Sequence, residues 1–120
     1  MVSEDFGQGC RRTIDAYMAA FNSRDMDALG RVLTDDATLV DWEVSASGKA
    51  DVLATTDRIV TGASVRIAVK RVVAEAPCAV ADLTVAVNGE IELDVIDLFE
   101  FAPDGRISSV RAFKGPERRG

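Results

Sequence analysis

The sequence predicts an α+β domain in which a long N-terminal helix and two further short helices cover one face of a curved antiparallel sheet. Up to residue 62, apolar residues mostly recur every three or four positions, as on one face of a helix. From residue 65 onward, apolar and polar residues alternate as in half-buried strands, and turn signals interrupt the pattern. Helices followed by a run of strands are typical of the α+β class.

The helices are predicted from apolar spacing and cap residues. Residues 3–22 place their apolar side chains on one stripe, and Tyr17 lies on that stripe. The segment Asn-Ser-Arg-Asp at 22–25 supplies stop and cap signals, and residues 26–33 predict a short second helix. A third helix is predicted after Ser47, which is a candidate N-cap.

Five strands are predicted, one before the third helix and four after it. Asn88-Gly89 is a strong signal for a two-residue hairpin, and Pro77 and Pro103-Asp104-Gly105 mark the other turns. The predicted strands are residues 37–44, the strand that begins at Val65, and residues 78–87, 90–101 and 106–114.

Length and charge limit the functions to consider. A chain of 120 residues suffices for one hydrophobic core, so we expect residues 1–120 to form a single domain. The net charge of −6 repels phosphate backbones and anionic membranes, so nucleic acid and membrane surfaces are not expected partners. Cys10 and Cys78 have no CxxC spacing, and residues 1–5 lack the basic residues of a secretory signal. A cytoplasmic protein is expected.

The chain contains no histidine, which excludes Ser-His-Asp and Cys-His catalysis and nearly all catalytic zinc sites. It also lacks the glycine-rich motifs that bind nucleotide phosphates. We therefore expect neither a metal nor an organic cofactor, and the chemistry must depend on carboxylates, tyrosine, lysine or arginine.

One predicted strand carries an acid on an otherwise apolar face. In residues 90–101 this face consists of Ile91, Leu93, Val95, Asp97, Phe99 and Phe101. Because desolvation disfavours a charged carboxylate, Asp97 must either pair with a cation or raise its pKa and stay protonated. Periodicity alone leaves both open, with Arg66 or Arg111 as candidate cations.

Tyr17 and Asp41 are the other candidate catalytic residues. Tyr17 is the sole tyrosine and lies on the buried stripe of the first helix, where its hydroxyl needs a partner. Asp41 lies near the end of the first strand, and the pattern does not decide which face it occupies. Taken singly, each has an ordinary structural explanation, core packing for Tyr17 and solvation for Asp41.

Together, three segments resemble ketosteroid isomerase, within the nuclear-transport-factor-like and SnoaL-like polyketide cyclase superfamily. They are IDAYMAAFNSRDMDAL with Tyr17, LTDDATLVDW with Asp41, and IELDVIDLFEFAPDGRISSVRAF with Asp97. The resemblance implies a cone-shaped sheet wrapped around the first helix. It also implies that Asp41 moves a proton between carbons flanking a ketone, while Tyr17 and a protonated Asp97 hold the enolate oxygen, as in this family's known example of a neutral carboxylic acid.

The sequence departs from this family around the pocket. The proline that usually follows the base is Trp42 here, the family's additional tyrosines are Leu33 and Thr56, and a pocket aromatic is Lys114. Lys114 either reaches solvent or faces the pocket, where it could bind an anionic group. The expected substrate contacts are Trp42, Val95, Phe99 and Lys114.

The leading hypothesis is an isomerase that acts on a small apolar ketone. The first alternative is an epoxide hydrolase or an epoxide-opening polyketide cyclase that uses Asp41 and Asp97 as base and acid. The second is a noncatalytic ligand-binding module, in which the carboxylates are satisfied structurally. Apolar residues left over after one helix covers the sheet, together with the resemblance, predict a homodimer.

Overall fold

The structure is a computed structural model that describes residues 3–119, with side chains described for residues 6–118. Three helices and six strands follow one another along the chain. They are α1 (Ser3–Ser23), α2 (Met26–Arg31), β1 (Leu33–Val40), β2 (Ser45–Ser47), α3 (Lys49–Gly62), β3 (Val65–Glu75), β4 (Cys78–Val87), β5 (Ile91–Phe101) and β6 (Ile107–Arg119).

The six strands form one curved sheet in the order β2-β1-β6-β5-β4-β3. The strands β3 to β6 form a meander of antiparallel pairs, as the turn signals predict. The expectation of a purely antiparallel sheet is wrong at one place, because β1 pairs with β6 in parallel. The chain reaches β6 only after the crossover through α3 and the whole meander, and a connection of this length allows either direction.

The helix α1 packs its apolar stripe against the concave face of this sheet. Ile14, Tyr17 and Met18 are buried, as the spacing predicts. Phe6 and Phe101 meet edge to face with ring centroids 5.7 Å apart, and Tyr17 meets Phe99 in the same way at 5.6 Å. The predicted class, a curved sheet around a long N-terminal helix with two further short helices, is therefore confirmed.

The hairpin between β4 and β5 forms where Asn88-Gly89 predicts it. Both residues have positive φ, 54° and 70°, the conformation required by the turn that matches strand twist. The Asn88 side chain also accepts a hydrogen bond from the Ser64 N–H at 2.9 Å. This bond joins the hairpin to the segment that leads into β3.

Three local predictions need correction. Ser47 does not cap α3, because it lies in the short strand β2, and Gly48 occupies the cap position without a side-chain hydrogen bond. The Asp51 side chain, in the first turn of α3, accepts a hydrogen bond from the Ser47 N–H at 3.0 Å. The second helix ends at Arg31, and the following residues already belong to β1, which begins at Leu33 and ends before Asp41. The two cysteines are free thiols.

Asn22 fastens the end of α1 to the edge strand β3. Its side-chain NH₂ donates to the Ile67 carbonyl at 2.9 Å, and its Oδ1 accepts from the Ile67 N–H at 2.8 Å. Both backbone groups of an edge residue are thus satisfied by one amide. The polar edge of the sheet is held against the helix at this point.

We predict that Asn22→Leu lowers the free energy of unfolding by about 1–3 kcal/mol, because it leaves two part-buried backbone groups of Ile67 without partners. Urea denaturation measures the effect. Ser23→Ala is the matched control, since that exposed hydroxyl only bonds back along its own helix. Equal stability of the two variants would contradict the tether.

Candidate active site

A cavity of about 520 Å³ opens between the sheet, α1 and α3. Its wall is mostly aliphatic, with side chains from the concave faces of β3 to β6. Polar residues also line it: Tyr17, Asp41, Glu43, Thr56, Arg58, Asp97, Lys114 and Glu117. Its exposed members, among them Trp42, Glu43 and Lys114, mark the mouth, whereas Tyr17, Thr56 and Asp97 are buried and mark the inner end. An apolar cavity with a few polar groups is the usual form of a small-molecule site.

Asp97 projects from the concave face of β5 into this inner end. It is 6% exposed, and its neighbours on the same face, Val95 and Phe99, are buried. Asp97 forms no hydrogen bond or ion pair with any residue that the structure describes. Burial, and secondly the negative charge of Asp41, raise the pKa of Asp97 to about 7. The carboxyl group is therefore an available hydrogen-bond donor at or below neutral pH.

The two candidate cations do not reach Asp97. Arg111 lies on the convex face of the sheet, where its guanidinium covers the Phe113 ring at 5.9 Å. Arg66 is exposed on β3. Side chains on opposite faces of a sheet cannot pair through it. Between the two states that the periodicity left open, the structure favours the protonated acid.

Tyr17 reaches the same cavity from α1. It is 4% exposed, and its ring is held edge-on by Phe99. Burial, followed by the negative charges of Asp97 and Asp41, raises the pKa of the Tyr17 hydroxyl. Its hydroxyl has no hydrogen-bond partner within the described part of the chain. Tyr17 is thus a second protonated donor on the cavity.

Asp41 lies at the cavity just beyond the end of β1, in a turn that its own side chain builds. Its Oδ1 accepts from the N–H groups of Glu43 and Val44, both at 2.7 Å, and its own N–H donates to the Val44 carbonyl at 2.9 Å. These bonds fix the orientation of the carboxylate. Among the described residues, Oδ2 has no hydrogen-bond partner, so one oxygen holds the turn while the other is available to a ligand.

The expected substrate contacts divide into two groups. Trp42, Val95 and Lys114 line the cavity. Phe99 is not among the lining residues, because it is fully buried and packs edge to face against Tyr17; its contact with substrate stays a prediction. The Lys114 ammonium both lines the mouth and pairs with Glu117 at 2.8 Å, which combines the two orientations that the sequence left open.

The aliphatic lining from β3 and β4 and the approach of Arg58 to the mouth were not predicted. Strand alternation could have identified Val65, Ile67, Leu83 and Val85 as inward-facing, but not as cavity wall. Whether an inward residue packs or borders a space depends on how far the helices cover the sheet.

The fold and this site define a class: cone-shaped α+β domains with a cavity between a curved sheet and its helices. The chain belongs to the SnoaL-like domain family, whose model matches residues 14–110. The family resemblance expected from the sequence is therefore confirmed. No curated protein matches this chain in sequence.

Solved structures share the fold at low sequence identity. A candidate ketosteroid isomerase from Kribbella flavida is 21% identical with a TM-score of 0.81, covering 91% of this chain and 79% of that one. SalBIII, an epoxide hydrolase/cyclase-like enzyme in pyran ring formation in salinomycin, is 23% identical with a TM-score of 0.80, covering 91% and 92%. A computationally designed 17-OHP binder is 13% identical with a TM-score of 0.80, covering 93% and 96%. Among the described residues, no helix is long and apolar enough to cross a membrane.

Because the pKa of Asp97 is raised in the folded chain, the free energy of unfolding should depend on pH. Between the ordinary pKa near 4 and about 7, the folded chain keeps a proton that the unfolded chain releases, so the free energy of unfolding falls as pH rises. We predict that Asp97→Asn removes this loss. Its stability relative to the parent protein should therefore grow by about 4 kcal/mol from pH 4 to 7 and then level off.

Urea denaturation at several pH values measures this difference. Asp94→Asn is the control, since Asp94 lies on the same strand but is ion-paired with Arg118, which lowers its pKa. Its stability relative to the parent should not grow over this range. A pH-independent difference for Asp97→Asn would mean that the buried acid is ionised at pH 7.

Proposed function

We propose that this protein is an isomerase that moves a proton between the carbons flanking a ketone, of the ketosteroid isomerase type. The observation that carries the proposal is that two buried donors, Tyr17 and Asp97, line the same cavity as the carboxylate of Asp41. Neither donor has a hydrogen-bond partner among the described residues. A buried donor without a hydrogen-bond partner lowers the free energy of unfolding. Such donors become favourable when an oxygen that gains negative charge lies between them.

In the proposed reaction, Oδ2 of Asp41 takes a proton from the carbon next to the carbonyl. The electron pair of that C–H bond moves into the enolate, and the carbonyl oxygen gains negative charge. Tyr17 and the neutral Asp97 donate hydrogen bonds to that oxygen. Asp41 then returns its proton to the far carbon of the extended enolate, so that a β,γ-unsaturated ketone becomes a conjugated one.

The cavity supplies the remaining conditions. Its aliphatic walls exclude water, which strengthens hydrogen bonds to a developing charge. The anchoring of Oδ1 by two backbone N–H groups keeps Asp41 in place while Oδ2 exchanges its proton. We propose that Trp42 and Val95 contact the substrate, with Lys114 at the mouth, and that the protein acts in the cytoplasm.

A second candidate function is the opening of an epoxide, either by water or by a hydroxyl of the same molecule. The neutral Asp97 would donate to the epoxide oxygen while Asp41 accepts the proton of the attacking group. The acid and base pair favours this alternative, and SalBIII, which has the same fold, is described as epoxide hydrolase/cyclase-like. Turnover of an epoxide without exchange of protons next to a ketone would select it.

We predict that the protein isomerises a Δ5-3-ketosteroid, followed by the absorbance of the conjugated product. Asp41→Asn should lower kcat by roughly 10²–10⁴, the usual contribution of a general base. Tyr17→Phe should lower it by roughly 10²–10³, as for loss of one oxyanion donor. Asp35→Asn, which removes the same charge from an exposed residue of β1, should leave kcat unchanged.

Equal effects of Asp41→Asn and Asp35→Asn on kcat would refute the assignment of the base. Absence of turnover together with absence of binding of a phenol, which mimics the enolate, would refute the isomerase. Trp42 is the sole tryptophan and lines the cavity, so its fluorescence reports ligand binding directly.

We also propose a homodimer through the convex face of the sheet. Val73 is 64% exposed and Phe113 52% exposed, and Ile96, which pairs with Phe113 in the sheet, is exposed as well. Positively and negatively charged side chains, such as the ion pair of Lys70 with Asp82, lie beside this apolar surface. A surface that carries both signs and an apolar centre can pair with a second copy of itself across a two-fold axis.

We predict that Phe113→Glu converts the dimer to a monomer, because two carboxylates would be buried in the interface. Sedimentation equilibrium measures the mass. Thr61→Glu, on the exposed face of α3, should leave the dimer intact. A monomeric parent protein at micromolar concentration would contradict the proposal.

A further inference from the structure

Buried polar side chains fall into two groups according to the cavity. Thr34 and Thr55 lie away from it and have partners: Thr34 donates to Asp36 at 2.8 Å, and Thr55 accepts from Arg58 at 3.2 Å. Tyr17 and Asp97 line it and have no hydrogen-bond partner among the described residues. Thr56 belongs with the second group, because it lines the cavity, is 1% exposed, and its hydroxyl has no partner in the part of the chain that the structure describes.

The missing partner of Thr56 is unusual for a helical hydroxyl. A helical hydroxyl can donate to the carbonyl four residues earlier, which satisfies it within its own helix. Thr13 does so at 3.1 Å to Gly9, and Thr61 does so at 2.8 Å to Asp57. Thr56 lacks this bond although it is more buried than either, so solvent does not replace it.

Thr56 lies on the face of α3 that borders the cavity. Thr56 and Ile59 lie one turn apart on α3, and both line the cavity. The Oγ1 atom itself is covered, but rotation about χ1 exchanges it with the methyl group, and helical threonines use two such rotamers. The hydroxyl can therefore turn toward a polar atom that enters the cavity.

We infer that Thr56 is a third polar contact to the substrate, and that the substrate carries a second oxygen near the reacting ketone. A hydroxyl both donates and accepts, so this oxygen is a hydroxyl or a carbonyl. The substrate class is thus an oxygenated ketone rather than a ketone whose ring system is a plain hydrocarbon. This inference rests on the proposed function, since it places the reacting ketone at Tyr17 and Asp97.

The test compares β-naphthol with naphthalenediols whose second hydroxyl is ortho or meta to the first, by titration calorimetry on the intact protein. One diol should bind roughly tenfold more tightly than β-naphthol, the value of one hydrogen bond in a dry site. Thr56→Val, which keeps the shape and removes the hydroxyl, should abolish that preference, measured as the ratio of the two dissociation constants within the same variant. Thr56→Ser should retain it.

Thr55→Val is the matched control, because the neighbouring hydroxyl is buried but lies off the cavity. It should keep the diol preference. A parent protein that binds no diol more tightly than β-naphthol overturns the inference, as does a preference that survives in both Thr56→Val and Thr56→Ala. If the parent protein does not bind β-naphthol at all, the proposed function is refuted instead.

Discussion

The burial of one carboxyl group on the concave face of β5 is the constraint on which the site depends. The face that carries Asp97 must be apolar so that the sheet can pack against α1. The same apolar surroundings desolvate Asp97 and raise its pKa, so packing and protonation state have one cause. A substitution that let water reach this face would weaken the core and ionise the acid together.

Two aspartates obtain different properties from different environments in one cavity. Asp97 is surrounded by apolar side chains, whereas Asp41 accepts two backbone N–H bonds in a turn at the mouth. The charge of Asp41 in turn disfavours ionisation of Asp97 and of Tyr17. The cavity thereby combines Asp41, whose side chain is fixed by backbone hydrogen bonds, with two groups whose ionisation is disfavoured.

Among the described residues, the buried polar side chains without hydrogen-bond partners are those that line the cavity. Elsewhere among the described residues, buried threonines have partners, and even the edge strand has its backbone satisfied by Asn22. Local departures from such pairing are expected where a protein binds its ligand. The contrast between Thr55 and Thr56, adjacent on one helix, marks the boundary between the supporting structure and the site.

The sequence by itself determined the three helices, the four strands of the meander, the face on which Tyr17 and Asp97 lie, and the α+β class, because periodicity and turn residues are local signals. It could not place Asp41, whose position depends on a turn closed by its own side chain, or exclude Phe99 from the cavity wall. The parallel pairing of β1 with β6 and the tether from Asn22 to Ile67 join distant segments. Only the tertiary structure decided these, because they are contacts between segments far apart in the sequence, which no local pattern encodes.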